Sequence, residues 1–309
     1  MAGGEKAKSS GEYGEAIVAQ ILNLIGWNNP QSGVSVPCVF KEKHGKEKHG
    51  IDYIFQYKSS LRDSTKQEVL ISVKCRDGYP AKDDTTIKLF KEFLVDIAWA
   101  MECYPSCEVA KKRIQNTTKK VTAGLIFWID RNRNDGRENA SVTDKIGNFY
   151  LKEDCSYDAV YLVDNKRAQF IYSLLSFAKD KYPNDNVEFF YINSGLNNAS
   201  LVREYSGKIM PLEYINADVI PLAITNGETK KLFLGINDRF NKDHLMRLIG
   251  LAQDLTNSWA ANVVIAFPDY NKFDNEADVI SAKNEFENTK FVNNIEVVTY
   301  NPDFRDEVR

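Results

Sequence analysis

Residues 121–129 read Val-Thr-Ala-Gly-Leu-Ile-Phe-Trp-Ile, an almost unbroken apolar run with no charge in it. A strand with one wet face alternates apolar and polar residues, whereas a strand this uniform is covered on both faces. The chain that holds it is therefore expected to lay helices against a sheet, as an α/β fold does.

Neighbouring segments supply the other layers. After a leader of eight residues, Ser9 and Ser10 stand where a helix cap belongs, and Glu12 and Glu15 sit in the first turn, where the macrodipole favours acids. Ile17, Val18, Ile21, Leu22, Leu24 and Ile25 recur at helical spacing, and Gly26 ends the helix. A short strand is expected at Cys38-Val39-Phe40. A polar loop over 41–50 follows, in which Lys-Glu-Lys-His-Gly is written twice. Strands are expected over 51–57 and 68–75, joined by a polar connection. A helix over 85–103 then buries Ile87, Phe90, Leu94, Ile97 and Ala98. Beyond the apolar run come a polar loop over 130–139, a strand over 157–163, a helix over 165–181 and a strand over 187–192.

From about Lys208 a second unit is expected. Strands over 219–224 and 232–236 flank Thr225-Asn226-Gly227-Glu228, a hairpin signal, and alternating helices and strands run on to residue 300. The expected division is 1–207 and 208–309.

Composition narrows the class. Of 309 residues, 43% are hydrophobic and 27% charged, which suits a packed core rather than disorder. No apolar run approaches the roughly 18 residues that a membrane span needs, and the first residues hold no secretory h-region, so a cytoplasmic chain is expected. Five cysteines are too scattered for a disulfide framework, and Cys103-x-x-x-Cys107 has no second Cys/His pair nearby to complete a zinc site. Up to Leu125 there are 19 Lys and Arg against 15 Asp and Glu; beyond it, 21 against 28. A mildly basic front suits a nucleic acid and an acidic rear suits a different partner, but charge alone is too weak to bind a polyanion.

Chemistry concentrates on the two strands before the long helix. Asp52 opens the first and Lys74 closes the second, with Ser72 on the same face as Lys74. If the strands pair antiparallel, Asp52 and Lys74 become neighbours, and Glu15 can reach them from the first helix. Carboxylates with a lysine suit metal-assisted phosphodiester hydrolysis, in which oxygen ligands hold the ion and the ammonium positions the attacking water.

Gly11-x-x-Gly14-Glu15 with Gly26-Trp27, then Gly50-Ile51-Asp52, then Ser72-Val73-Lys74, resembles the PD-(D/E)xK nuclease superfamily. The likeness is greatest to its restriction-endonuclease-like and Holliday-junction-resolvase-like branches. It implies a mixed sheet flanked by helices, here followed by a smaller C-terminal α/β domain, and a Mg²⁺-dependent endonuclease for which Mn²⁺ can substitute. It implies Glu15 as the helix acid, Asp52 as the metal-binding aspartate and Lys74 as the catalytic lysine. The likeness covers residues 11–75 by motif, and 208–309 lie outside it.

Ser72 departs from the pattern, which has an acid two residues before the lysine. Glu15 can supply the missing charge; Glu68 lies about 13 Å away along an extended strand; or the site binds without cutting. Glu12 is an alternative helix acid. Arg76, Lys48 and His49 are candidate nucleic-acid contacts, although a solvated loop is the plainer reading of 41–50. The resemblance further implies DNA as the favoured substrate and a place in anti-phage defence. A homodimer or a second defence protein is the expected partner. The rival readings are a non-catalytic nucleic-acid-binding or scaffold subunit and an RNA- or tRNA-cutting enzyme.

Overall fold

The computed structural model describes residues 2–132, 141–147, 149–151, 154–198, 203–256 and 259–302, and only the backbone of residues 2–10. The chain divides into two compact units, Met1–Gln169 and Phe170–Arg309. Most of the polar loop expected over 130–139 lies outside the described residues.

The first unit comprises helix α1 (Ala2–Leu24), strand β1 (Gln31–Pro37), the single turn α2 (Lys41–His44), strands β2 (Lys48–Lys58) and β3 (Thr65–Arg76), helix α3 (Asp83–Cys103), and strands β4 (Lys119–Asp130) and β5 (Val160–Val163). The strands form one sheet in chain order. β1, β2 and β3 pair antiparallel, then β3, β4 and β5 pair parallel, so the sheet is mixed as expected. β4 carries the apolar run, and Ala123, Leu125, Ile126, Phe127, Trp128 and Ile129 are all buried. α3 covers one face: a Cβ on Gly124 would sit 3.0 Å from Met101 Sδ and 3.1 Å from Ile97. α1 covers the other, burying Val18, Ile21, Leu22 and Ile25.

Two starts differ from expectation. The backbone of α1 is helical from Ala2 rather than from the serine pair; Glu5, Lys6, Ala7 and Lys8 favour a helix and carry it upstream. β1 occupies Gln31–Pro37 rather than 38–40, because Val34 and Val36 point inward while Ser, Gly and Pro hide the alternation. The end of α1 follows the sequence. Gly26 takes φ 79°, and Trp27 N–H bonds the Leu22 carbonyl at 2.8 Å, a Schellman closure that needs a residue tolerant of positive φ.

The second unit holds most of helix α4 (Asn165–Lys181), then β6 (Asn186–Phe190), β7 (Ser206–Gly207), β8 (Val219–Asn226), β9 (Thr229–Ile236), α5 (Lys242–Thr256), β10 (Asn262–Phe267), α6 (Lys272–Asn284), α7 (Thr289–Asn293) and β11 (Ile295–Thr299). Its sheet runs β11-β10-β9-β8-β6-β7. Asn226 pairs with Thr229 across the expected hairpin, with Gly227 at φ 56°. β6 pairs with β8, so the strand expected near 187–192 belongs to this second sheet and the break expected after residue 207 falls inside the second unit. Among the described residues no helix is long and apolar enough to cross a membrane.

Candidate functional site

β2 and β3 pair from Lys58–Lys66 up to Tyr53–Ile71 and then part. Beyond that point β2 follows β1, with Ile51 opposite Val34, while β3 follows β4, with Ser72 opposite Ile126 and Arg76 opposite Asp130. Asp52 stands in the opened fork. Its Oδ2 accepts the Val73 backbone N–H at 2.6 Å, a donor on the side that the departing strand leaves open. The antiparallel pairing therefore brings Asp52 beside the segment 72–74, as the alternation of the two strands requires.

α1 reaches this fork through Gly14. A Cβ there would lie 2.4 Å from Cys75 Cβ, far inside contact distance, so the helix can approach the end of β3 this closely only at a glycine. The next residue is Glu15, whose carbonyl accepts from Tyr53 Oη at 3.2 Å. Burial raises the Glu15 pKa above the ordinary carboxylate value, and the charges of Asp52 and Glu12 raise it further. Carboxylates that repel one another in this way are a place for a cation, and their hard oxygens fit Mg²⁺ or Mn²⁺. Gly14→Ala should cost about 1–3 kcal/mol by overpacking. Chemical denaturation reads this out, and an unchanged midpoint would mean that the helix and strand have room to spare.

Lys74 and Arg76 extend the site along β3. The Lys74 ammonium lies 5.3 Å from the centre of the Phe93 ring and the Arg76 guanidinium 5.6 Å from the same ring. Phe93, on α3, is in turn held edge-on by Trp128 at 5.2 Å. This aromatic platform keeps the two cations together on β3, the strand whose Val73 N–H bonds Asp52. Phe93 lies outside the stripe expected from the sequence, and a cation platform leaves no local signal there. Ser72 is buried at the level of the fork and offers only a neutral hydroxyl.

Other candidates sit elsewhere. Glu68 is buried within its own network: it pairs with Lys66 at 2.6 Å and accepts from Gln56 at 2.9 Å, Tyr104 at 3.3 Å and Thr122 at 3.2 Å. Its charge is spent there and not at the fork. His49 is only 4% exposed, so it faces the interior and not a phosphate, contrary to expectation. Lys48 is exposed beside it. The 41–50 segment is not a plain solvated loop. Lys43 pairs with Glu102 at 3.0 Å and Lys46 with Asp96 at 2.5 Å, which tie the segment to α3.

A family model described as the GAPS4 protein PD-(D/E)XK nuclease domain matches residues 1–167, which is the first unit almost to its end. No curated protein and no solved structure matches the chain.

Proposed function

The chain belongs to the GAPS4 PD-(D/E)XK nuclease domain family, and from that premise we propose that its first unit is an endonuclease that hydrolyses DNA with Mg²⁺. The fork carries this reading: Asp52 between two parting strands, the Glu15 carboxyl close enough to feel its charge, and Lys74 and Arg76 farther along β3, both over Phe93. A bound Mg²⁺ supplies Lewis acidity at the scissile phosphate and acidifies a water. Asp52 and Glu15 would hold it, with Asp52 kept in orientation by the Val73 N–H. The Lys74 ammonium holds the attacking water and meets the charge that grows on the phosphate, and Arg76 neutralises a neighbouring phosphate. Ser72 leaves the site one carboxylate short of the usual set, which is why Glu15 is assigned as a ligand.

That same serine favours the second reading, a subunit that binds nucleic acid without cutting it. Incubation of the purified chain with plasmid, linear DNA and RNA, each with Mg²⁺, Mn²⁺ or EDTA, separates the two. Metal-dependent DNA products support the enzyme, RNA products alone move the substrate, and intact polymer in every tube supports the binder.

The ligand assignment has its own test. Glu15→Gln should lower metal affinity and cutting at least tenfold, about 1.4 kcal/mol in barrier height, while Glu12→Gln should change either little. Because the Glu15 carboxyl is disfavoured as an anion, Glu15→Gln should not lower the melting temperature of the metal-free chain. Equal losses of cutting from both variants would mean that helix charge, not ligation, matters.

We further propose that the chain works in the cytoplasm in anti-phage defence, as a homodimer or beside a second protein. The family resemblance supports the setting. For a partner, α5 and α6 expose Leu251, Ile280 and Phe273, the last almost entirely at 96%. Light scattering of the lone chain should show a dimer, or an otherwise monomeric chain that gains mass with its operon neighbour.

A further inference from the structure

We propose that Cys38, His44, His49 and Cys103 form a closed structural zinc site in the first unit, separate from the Asp52 fork. The four side chains come from the residue just after β1, from α2, from the start of β2 and from the last residue of α3. All four are buried, and one ligand atom from each lies within 4.8 Å of the other three.

Four of the six ligand spacings match a tetrahedron, and the two from His49 to the sulfurs lie within 4.8 Å. With zinc–sulfur bonds of about 2.3 Å and zinc–nitrogen bonds of about 2.0 Å, tetrahedral ligands stand apart by about 3.8 Å for two sulfurs, about 3.3 Å for two nitrogens and about 3.5 Å for a mixed pair. Here the two sulfurs are 3.9 Å apart, and His44 Nδ1 and His49 Nε2 are 3.4 Å apart. His44 Nδ1 stands 3.3 Å from Cys38 Sγ and 3.6 Å from Cys103 Sγ. Two sulfurs and two imidazoles in this arrangement suit zinc above the other common divalent ions.

The surroundings fit a metal better than a bare hydrogen-bonded cluster. His44 turns its other nitrogen, Nε2, to Glu102 at 3.2 Å, and Lys43 holds that carboxylate in place at 3.0 Å. A carboxylate behind a histidine fixes the tautomer that leaves Nδ1 as the ligand. Trp99 stacks flat on the same ring at 4.8 Å, fixing its plane. The backbone at Val39 and Phe40 hydrogen-bonds the Cys103 sulfur and so helps to fix its position. Among the described residues His49 Nδ1 is buried with no hydrogen-bond partner, while its Nε2 faces the cluster. Four protein ligands leave no open position, so the site is structural and not catalytic.

The duplicated pentapeptide acquires a role here, since each copy contributes one histidine. Cys103 is completed not by Cys107 but by a cysteine and two histidines from the distant 38–49 segment. The metal would clamp that segment to the end of α3, three residues ahead of Asp52 on β2.

Zinc content of the full chain, expressed in zinc-supplemented cells and purified without chelator, tests this. Mass spectrometry of the elements should find about one zinc per chain. Cys38→Ser and His49→Gln should each cut the retained zinc at least tenfold, whereas Asp52→Asn should keep it. Should those variants fold poorly, the wild-type chain still decides the matter: stripped and reloaded with Co²⁺, it should show thiolate-to-cobalt charge transfer and the intense d–d bands of a tetrahedral ion. Wild-type chain with less than about a tenth of an equivalent of zinc and no cobalt spectrum would overturn the site. So would a Cys38–Cys103 disulfide in freshly purified protein.

Discussion

Asp52→Asn and Lys74→Ala should each slow cleavage by about 100-fold or more, which is about 2.7 kcal/mol in barrier height. Asparagine keeps the carbonyl-type oxygen that accepts the Val73 N–H at 2.6 Å, so the fork stays formed and only the charge is lost. That charge is the one with which the site would grip its ion. Lys74→Ala removes an ammonium that lies on Phe93 and that, in the proposed mechanism, would act mainly on charge developing in the transition state. Affinity for uncut polymer should therefore change little in Lys74→Ala, beyond a slightly shallower salt dependence from one lost phosphate contact. The measurement pairs cleavage rate with binding constant at fixed salt, in Mg²⁺ and in EDTA. Cutting that survives both substitutions would sink the assignment of the fork as the reacting centre. Metal removal needs care, because EDTA acts on the cysteine–histidine cluster as well. Loss of activity in EDTA should be reversed by Mg²⁺ alone if only the fork was emptied.

Lys66→Met should destabilise the first unit by about 3–5 kcal/mol, the cost of leaving one member of a buried ion pair alone. Lys66 is 1% exposed and Glu68 2% exposed. The Lys66 ammonium also donates to the Lys112 carbonyl at 2.6 Å and the Ala110 carbonyl at 3.4 Å, so its polar capacity is spent inside the protein. Methionine fills similar volume but leaves the Glu68 carboxylate with only its neutral donors, Gln56, Tyr104 and Thr122. Adding Glu68→Gln to Lys66→Met should restore part of the loss, and a double-mutant cycle in denaturant gives the coupling. A single-mutant loss under about 1 kcal/mol would mean that the pair behaves as a surface bridge does.

That pair shows where reading the sequence stops. The alternation of 51–57 sets Asp52 and Gln56 on one face of their strand, that of 68–75 sets Glu68, Ser72 and Lys74 on one face of theirs, and the register puts Gln56 opposite Glu68. A period of two is a local property, and local properties are legible. The apolar run of β4 was legible for the same reason. Lys66 and Gln67 looked like a polar connection, yet they are buried strand residues. Their burial depends on partners 44 and more residues away, which no window along the chain contains. The histidines of the duplicated pentapeptide are hidden in the same way, since Cys103 lies 59 residues beyond His44. The fork itself was half visible: its residues carried a motif, but the parting of β2 from β3 is a property of the sheet. The change of direction from antiparallel to parallel pairing occurs across β3, and the proposed site lies at that seam.

The hydrogen bond from the Val73 amide to Asp52 gives the protein an internal reporter. Most amides in this sheet answer to a neighbouring backbone carbonyl, whose charge never varies. The Val73 amide answers to an ionisable side chain. Its proton resonance should therefore register whether Asp52 is charged, neutralised or engaged with an ion, while the amide of Ile71, back inside the paired ladder, stays still. Nuclear magnetic resonance of one labelled backbone position could thus follow occupancy of the fork in solution, with no substrate present and no cleavage to record.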